Sequence, residues 1–283
     1  MLPVRDRADR LGGCIQSVLA QDVPLELIVV DDGSTDDSAS VAEDLADDRV
    51  TVLRLAESIG AAEARNIGLR IARAPLVAFI DSDTWWPPGR LALHCDHLVA
   101  SPESVVAVYG ESVLLRSGTE IQRVPGHRDT VRDGDLRHVL ARYNIIDLPS
   151  ALLRTRSVRS AGGFDPNLRR FQDWDLFLTL SRTGEFRFVP GVAVTGTDGP
   201  DRISRDVEAQ YEALRVLVGR HRSLFALRPR ERFAYGLQLV KRSRGMRRVL
   251  DVSRLARWLI SNPAVVLVPV QQLRGRSPVR RVS

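Results

Sequence analysis

Residues 75–90 read PLVAFIDSDTWWPPGR. An apolar run climbs from Pro75 to Ile80 and stops on two carboxylates, Asp81 and Asp83, with Trp85 and Trp86 behind them. A short, nearly continuous apolar run of this kind reads as a strand covered on both faces. Two earlier runs have the same character, LELIVVDDGS (25–34) and RVTVLRLAES (49–58). Between the first two runs, STDDSASVAEDLADD opens on Ser34 and Thr35 as helix-cap candidates. Before the third, AAEARNIGLRIARA carries Ala64, Ile67, Leu69 and Ile71 at helical spacing. Strands alternating with helices of about 10–15 residues predict βαβ units and a parallel sheet.

In open α/β sheets, ligands bind at the carboxyl ends of the strands. Two of these ends carry acids, Asp31-Asp32 and Asp81/Asp83. Residues two apart on a strand point to one side, so Asp81 and Asp83 are expected to converge. Two carboxylates that close need a cation or a shared proton between them. Hard oxygen ligands favour Mg²⁺ or Mn²⁺, completed by a substrate's phosphates. A capped turn is the plain alternative for the same residues. No Gly-x-Gly-x-x-Gly follows a strand, no His/Cys cluster has metal-ligand spacing, and no Gly-x-Ser-x-Gly elbow is present.

The 283 residues, 44% hydrophobic and 27% charged, suit an ordinary globular chain. No apolar stretch reaches the roughly 20 residues that span a bilayer, and MLPVRDRADR has no apolar signal core. Cys14 and Cys95 form no disulfide framework, which fits a cytoplasmic setting. His94 and His97, one helical turn apart, read as a surface pair. Residues 241–283 hold eleven Lys/Arg and one acid, Asp251, while residues 1–240 hold 30 basic and 34 acidic residues. The basic tail reads as a helical appendage with a solvated face, or as an interfacial helix on anionic lipid at the inner face of the membrane. It carries no nucleic-acid recognition motif.

Taken in order, PVRDRADRLGGCIQSVLAQ, LELIVVDDGSTDDS, ESIGAAEARNIGLRIARAPLVAFIDSD, AGGFDPNL and FQDWDLFLTLSR resemble the family 2 glycosyltransferases of the GT-A fold. The likeness covers roughly residues 2–195. It implies a Rossmann-like, mostly parallel sheet flanked by helices. Residues 1–110 would form the nucleotide-sugar half, 111–203 the acceptor half and 204–283 a helical basic extension. It implies an inverting transfer from a nucleotide diphosphate sugar to the hydroxyl of a saccharide, lipid carrier or secondary metabolite. By the same resemblance, Asp32 supported by Asp31, with Pro3, Asp6, Arg65 and Asp81, would bind the nucleotide. Asp83 with Asp81 would hold Mg²⁺ or Mn²⁺. Gly162, Gly163 and Trp174 would border donor sugar and acceptor, and Asp173 would be the general base.

The pattern departs from the family in two places. Only Leu2-Pro3-Val4 stand where relatives have a longer hydrophobic first strand, so the natural start is expected upstream. A histidine that often completes the metal shell is absent from VTGTDGPDRISRD, where Asp198 or Asp201 are the nearest substitutes. These departures support an alternative, a non-catalytic sugar-nucleotide-binding partner subunit. A nucleotidyltransferase is a further alternative, but RDRADRLGG is not the Gly-rich basic loop that class favours.

Overall fold

The computed structural model describes residues 1–126, 132–141 and 143–197, and positions 212–213, 216–217, 219–221 and 224. Met1–Leu217 forms one compact unit and Val218–Ser283 a second. Nearly all of the second unit, including the basic tail, lies outside the described residues, as do Asp198 and Asp201.

The chain opens with β1 (Leu2–Val4), α1 (Ala8–Leu19), β2 (Leu27–Asp31), α2 (Ser38–Asp44), β3 (Val50–Arg54) and α3 (Ala61–Ile71). There follow β4 (Leu76–Val77), β5 (Thr84–Trp85), α4 (Arg90–Val99), β6 (Val105–Arg116) and β7 (Thr119–Val124). The last elements are α5 (Arg137–Leu140), a 3-10 turn at Leu148–Ser150, β8 (Ala151–Arg154), α6 (Thr155–Ser160), α7 (Gln172–Leu180) and β9 (Glu185–Thr197).

β1, β2 and β3 form a parallel sheet, with Leu2 opposite Val29 and Leu27 opposite Val50. Every residue of β2 is buried, as its unbroken apolar run requires. β1 is bonded on both flanks. Val4 O accepts from Asp32 N at 2.8 Å on one flank. On the other, Met1 O accepts from Ile80 N and Met1 N donates to Ala78 O, both at 3.0 Å. Pro3 lacks an N–H, yet the flanking bonds keep β1 between β2 and the Ala78–Ile80 segment that follows β4. Leu2, Val4, Leu11, Ile15, Leu27, Val29 and Ile80 share one buried cluster, which extends to Trp86, Leu98 and Val108.

Parallel pairing dominates only this first half. In the second sheet, ordered β4-β8-β6-β9-β5, the one parallel pair is β6 with β9, and β7 pairs antiparallel with β6. EFRFVPGVAVTG lies in the single long strand β9, which pairs along most of β6.

Two local expectations change. α2 starts after Asp37 with no side-chain cap, and Ser34 and Thr35 bond instead to Asp6 of the β1–α1 loop. His94 is buried, not exposed, because α4 turns that face onto the second sheet beside Gly110. Burial, helped by Arg90 and His97, holds its imidazole down to about 3. Cys14 is buried in the core. Trp86 is also core, with its Nε1 donating to Pro149 O at 2.9 Å.

Candidate active site

A cleft of about 530 Å³ opens at the carboxyl ends of the parallel strands. Its walls include Pro3, Asp32, Arg65, Asp81, Asp83 and Asp173, residues drawn from distant parts of the chain. The apolar run ends at Ile80, and Asp81–Thr84 is a turn: Asp81 O accepts from Thr84 N at 3.0 Å and from Thr84 Oγ1 at 2.8 Å. Asp81 and Asp83 therefore reach the same cleft through a turn, not through the two-residue alternation of a strand.

Asp32 is buried, with its carboxylate at the start of α3. It accepts from Ile59 N at 2.7 Å, Gly60 N at 3.0 Å and Ser58 Oγ at 2.8 Å. Both amides belong to the loop residues just before α3, so Asp32 fixes the entry into that helix. Asp31 sits one residue earlier, buried, accepting from Ser34 N at 3.1 Å. It shapes the turn behind Asp32 and is not part of the cleft wall.

Asp6 also stays outside the cleft wall. It has a positive φ of 49° and ties the β1–α1 loop to the turn after β2. Its carboxylate accepts from Thr35 N at 2.8 Å and Thr35 Oγ1 at 3.1 Å, and the amide bond from Thr35 holds it below the usual range.

Arg65 spans the site. Projecting from α3, it donates from Nη2 to Asp81 Oδ1 at 2.6 Å and from Nη1 to Gln172 Oε1 at 3.1 Å. Its guanidinium carbon lies 5.6 Å from the Phe164 ring centroid. The side chain is nearly enclosed, so removing it would leave Asp81 without its cation and Gln172 without its donor.

Asp173, in the first turn of α7, faces the cleft. Asn144 Nδ2 donates to its Oδ2 at 2.9 Å. Burial raises the carboxyl's pKa, against the Trp174 amide and the charge of Arg65, while Asp81 adds to the rise. Trp174 points the other way, into the core, and its Nε1 donates to Leu140 O at 2.8 Å.

Gly162 and Gly163 close α6 with φ of 87° and 73°, a conformation that favours glycine. Asn66, next to Arg65, clamps the following residue in both directions: Phe164 N donates to Oδ1 at 2.9 Å, and Nδ2 donates to Phe164 O at 2.8 Å. The Gly-Gly-Phe stretch is thus fastened to the helix that carries Arg65, without itself lining the cleft.

Several lining residues carry no motif that points to them. Asn144, Asp147, Arg169 and Arg170 come from the region between β7 and α7, outside the AGGFDPNL motif at 161–168. Arg5 and Arg7 follow β1. Gln172 stands beside Asp173, but only its bond to Arg65 marks it. Together with Arg65, these arginines give the cleft cationic groups beside its acids, as an anionic ligand requires.

Among the described residues no three His, Cys, Asp or Glu side chains gather into a metal-binding group. Asp81 and Asp83 supply two hard-oxygen donors on one cleft wall. That set fits Mg²⁺ or Mn²⁺, which commonly take one or two carboxylates and complete their shell with substrate phosphate and water. No helix among the described residues is long and apolar enough to cross a membrane.

Comparison with known proteins agrees with this architecture. Residues 1–140 match the family model described as glycosyl transferase family 2. The pre-mycofactocin glycosyltransferase of Mycobacterium tuberculosis is 32% identical over 205 residues, 67% of this chain and 40% of that protein. TarS 1-349 of S. aureus, solved in complex with UDP-GlcNAc, aligns with a TM-score of 0.66 at 15% identity, over 93% of this chain and 80% of that one. The mannosyltransferase PcManGT of Pyrobaculum calidifontis, in complex with GDP-Man and Mn²⁺, aligns with a TM-score of 0.58 at 18% identity, over 98% and 86%. The chain spans 27% to 40% of the length of several curated relatives that it matches. With the family match over residues 1–140 and the architecture shared with these structures, the chain belongs to glycosyltransferase family 2 and has the GT-A fold.

Proposed function

We propose that the chain moves a sugar from a nucleotide diphosphate sugar to an acceptor hydroxyl with inversion at the anomeric carbon. The observation that carries this reading is one cleft lined by Asp32, Asp81, Asp83 and Asp173, with Arg65 joining Asp81 to the helix of Asp173. Nucleotide-sugar complexes of proteins with the same fold support it.

Asp173 is the general base. It takes the acceptor proton while the acceptor oxygen bonds to the anomeric carbon from the face opposite the diphosphate. The bond from that carbon to the phosphate oxygen breaks, and its electron pair leaves on the nucleoside diphosphate. A carboxyl with a raised pKa suits this role, because a base works best when its proton affinity approaches the working pH. Asp32 with Asp31 behind it, Pro3 and Asp6 build the nucleotide side, and Arg65 holds Asp81 in place. Gly162, Gly163 and Trp174 support the sugar and acceptor side from beneath. Asp83, with Asp81, would hold Mg²⁺ or Mn²⁺, whose chemistry is to offset the charge of the diphosphate leaving group. The acceptor is a saccharide, a lipid carrier or a secondary metabolite, and the basic tail contacts an anionic membrane face.

Thermal stability with UDP, GDP and dTDP, with and without Mn²⁺, tests the nucleotide and metal parts. A ligand at 100 times its Kd stabilises by about 2.7 kcal/mol. One nucleotide should raise the Tm in a metal-dependent way, and Asp83→Asn should abolish the metal increment. Asp173→Asn should lose at least about 10²-fold in turnover while still binding nucleotide. Nucleotide binding without turnover for the unmodified chain would favour a non-catalytic binding subunit instead.

A further inference from the structure

We propose that Asn144 is a positioning residue for the reaction, one that holds the Asp173 carboxylate in the orientation that accepts the proton. The proposal rests on the reading of Asp173 as the base. Asn144 lies on the irregular stretch between α5 and the 3-10 turn, and it lines the cleft. Its Nδ2 donates to Asp173 Oδ2 at 2.9 Å. Its Oδ1 accepts from Ile146 N at 3.2 Å. The second bond sets the direction of the first: a flipped amide would face its NH₂ to the Ile146 N–H and its oxygen to a carboxylate. The amide therefore presents a donor to Asp173, locked by the backbone of its own loop.

This arrangement has two consequences for a base. Tying one carboxylate oxygen fixes the side chain's rotamer, so the acceptor meets an oriented group. A donor to the ionised carboxylate also opposes the burial that pushes Asp173 toward the neutral form. The other charged groups acting on Asp173 are Arg65 and Arg170, which favour ionisation, and Asp81, which opposes it. Asn144 is a neutral partner, so it adds orientation without a further charge beside the acceptor.

The test uses the full chain labelled at the aspartate carboxyl carbon with ¹³C and titrated by NMR, with Asp173→Asn identifying the Asp173 signal. Asn144→Ala should move the Asp173 midpoint upward. Asn144→Asp, which keeps an acceptor for Ile146 N and so the loop, should move it further by setting a second carboxylate against the first. In parallel, release of nucleoside diphosphate from UDP-glucose, UDP-GlcNAc or GDP-mannose with Mn²⁺ should fall about 10- to 100-fold in kcat for Asn144→Ala. The Kd for UDP or GDP should not move, and part of the loss should return as the pH is raised. An Asp173 midpoint unchanged in both Asn144 variants overturns the proposal. Turnover that survives Asp173→Asn overturns the reading of the base instead, and the titration still judges the hold of Asn144 on the carboxylate.

Discussion

Arg65 Nη2 donates to Asp81 Oδ1 at 2.6 Å, and the same guanidinium reaches Gln172 Oε1 at 3.1 Å. One side chain thus joins the acids that follow Ile80 to the helix that carries Asp173. Arg65→Lys keeps a charge for Asp81 but cannot serve both partners with a planar fork. It should retain most of the stability and lose part of the nucleotide-induced Tm shift. Arg65→Ala should destabilise by about 1–3 kcal/mol, below the usual cost of breaking a fully buried pair because the Asp81 side chain is 39% exposed. A thermal melt of the three forms, with and without nucleotide, checks both outcomes.

Asp173 has a stability signature separate from catalysis. Its carboxyl pKa is raised in the folded chain, so the folded state holds the proton more tightly than the unfolded state. Stability from this group is full below the ordinary carboxylate value of 3.8 and is lost as the pH rises through the raised value. Asp173→Asn removes the penalty and can still accept from Asn144. The variant should melt higher than the unmodified chain at pH 7, and the gap should close toward pH 3. Equal or lower melting of Asp173→Asn at pH 7 would show that burial does not penalise this carboxylate.

His94 acts with the opposite sign. Its imidazole is held down to about 3 in the fold and returns to its ordinary 6.5 on unfolding. The unfolded state then binds the extra proton between these values, so stability is lost as the pH falls from 6.5. The loss amounts to roughly 3–5 kcal/mol by pH 3. His94→Leu should flatten that acid limb in a series of denaturant melts. An unchanged limb would place the acid sensitivity elsewhere.

Gly163 and Gly162 separate backbone strain from steric contact. Both have positive φ, but a Cβ on Gly163 would lie 2.5 Å from Asn66 Oδ1, whereas one on Gly162 would meet open space. Gly162→Ala should cost about 1 kcal/mol. Gly163→Ala should cost more, about 2–4 kcal/mol, because Asn66 must also release Phe164. Similar costs for the two variants would show that the Asn66 clamp yields easily.

Much of this protein was legible along the chain. β2 shows as an apolar stretch because a strand covered on both faces needs apolar residues at every position, whereas of the run to Ile80 only Leu76–Val77 is a strand, and it pairs antiparallel with β8. α3 shows as a helix, but of Ala64, Ile67, Leu69 and Ile71 only Ala64 and Leu69 are buried and Ile71 is exposed, because Arg65, Asn66 and Gly68 take up much of the packed surface. Asp32, Asp81 and Asp83 stand out as acids after apolar runs and Arg65 through the family resemblance alone, and all four line the cleft. The tertiary structure decided what local pattern cannot express. The three-residue β1 is held at the edge of the first sheet by bonds to β2 and to the Ala78–Ile80 segment, both remote in sequence. The second sheet turns antiparallel through pairings of β6 that no periodicity encodes. His94 is interior because of what packs against α4, not because of its own polarity. Asn144, which stands in no motif, meets Asp173 across 29 positions. Local sequence specifies which face of an element is apolar and where the chain turns, because those depend on neighbours along the backbone. Which polar side chains meet over a cleft depends on how whole elements dock, and folding sets that through the summed burial of the core.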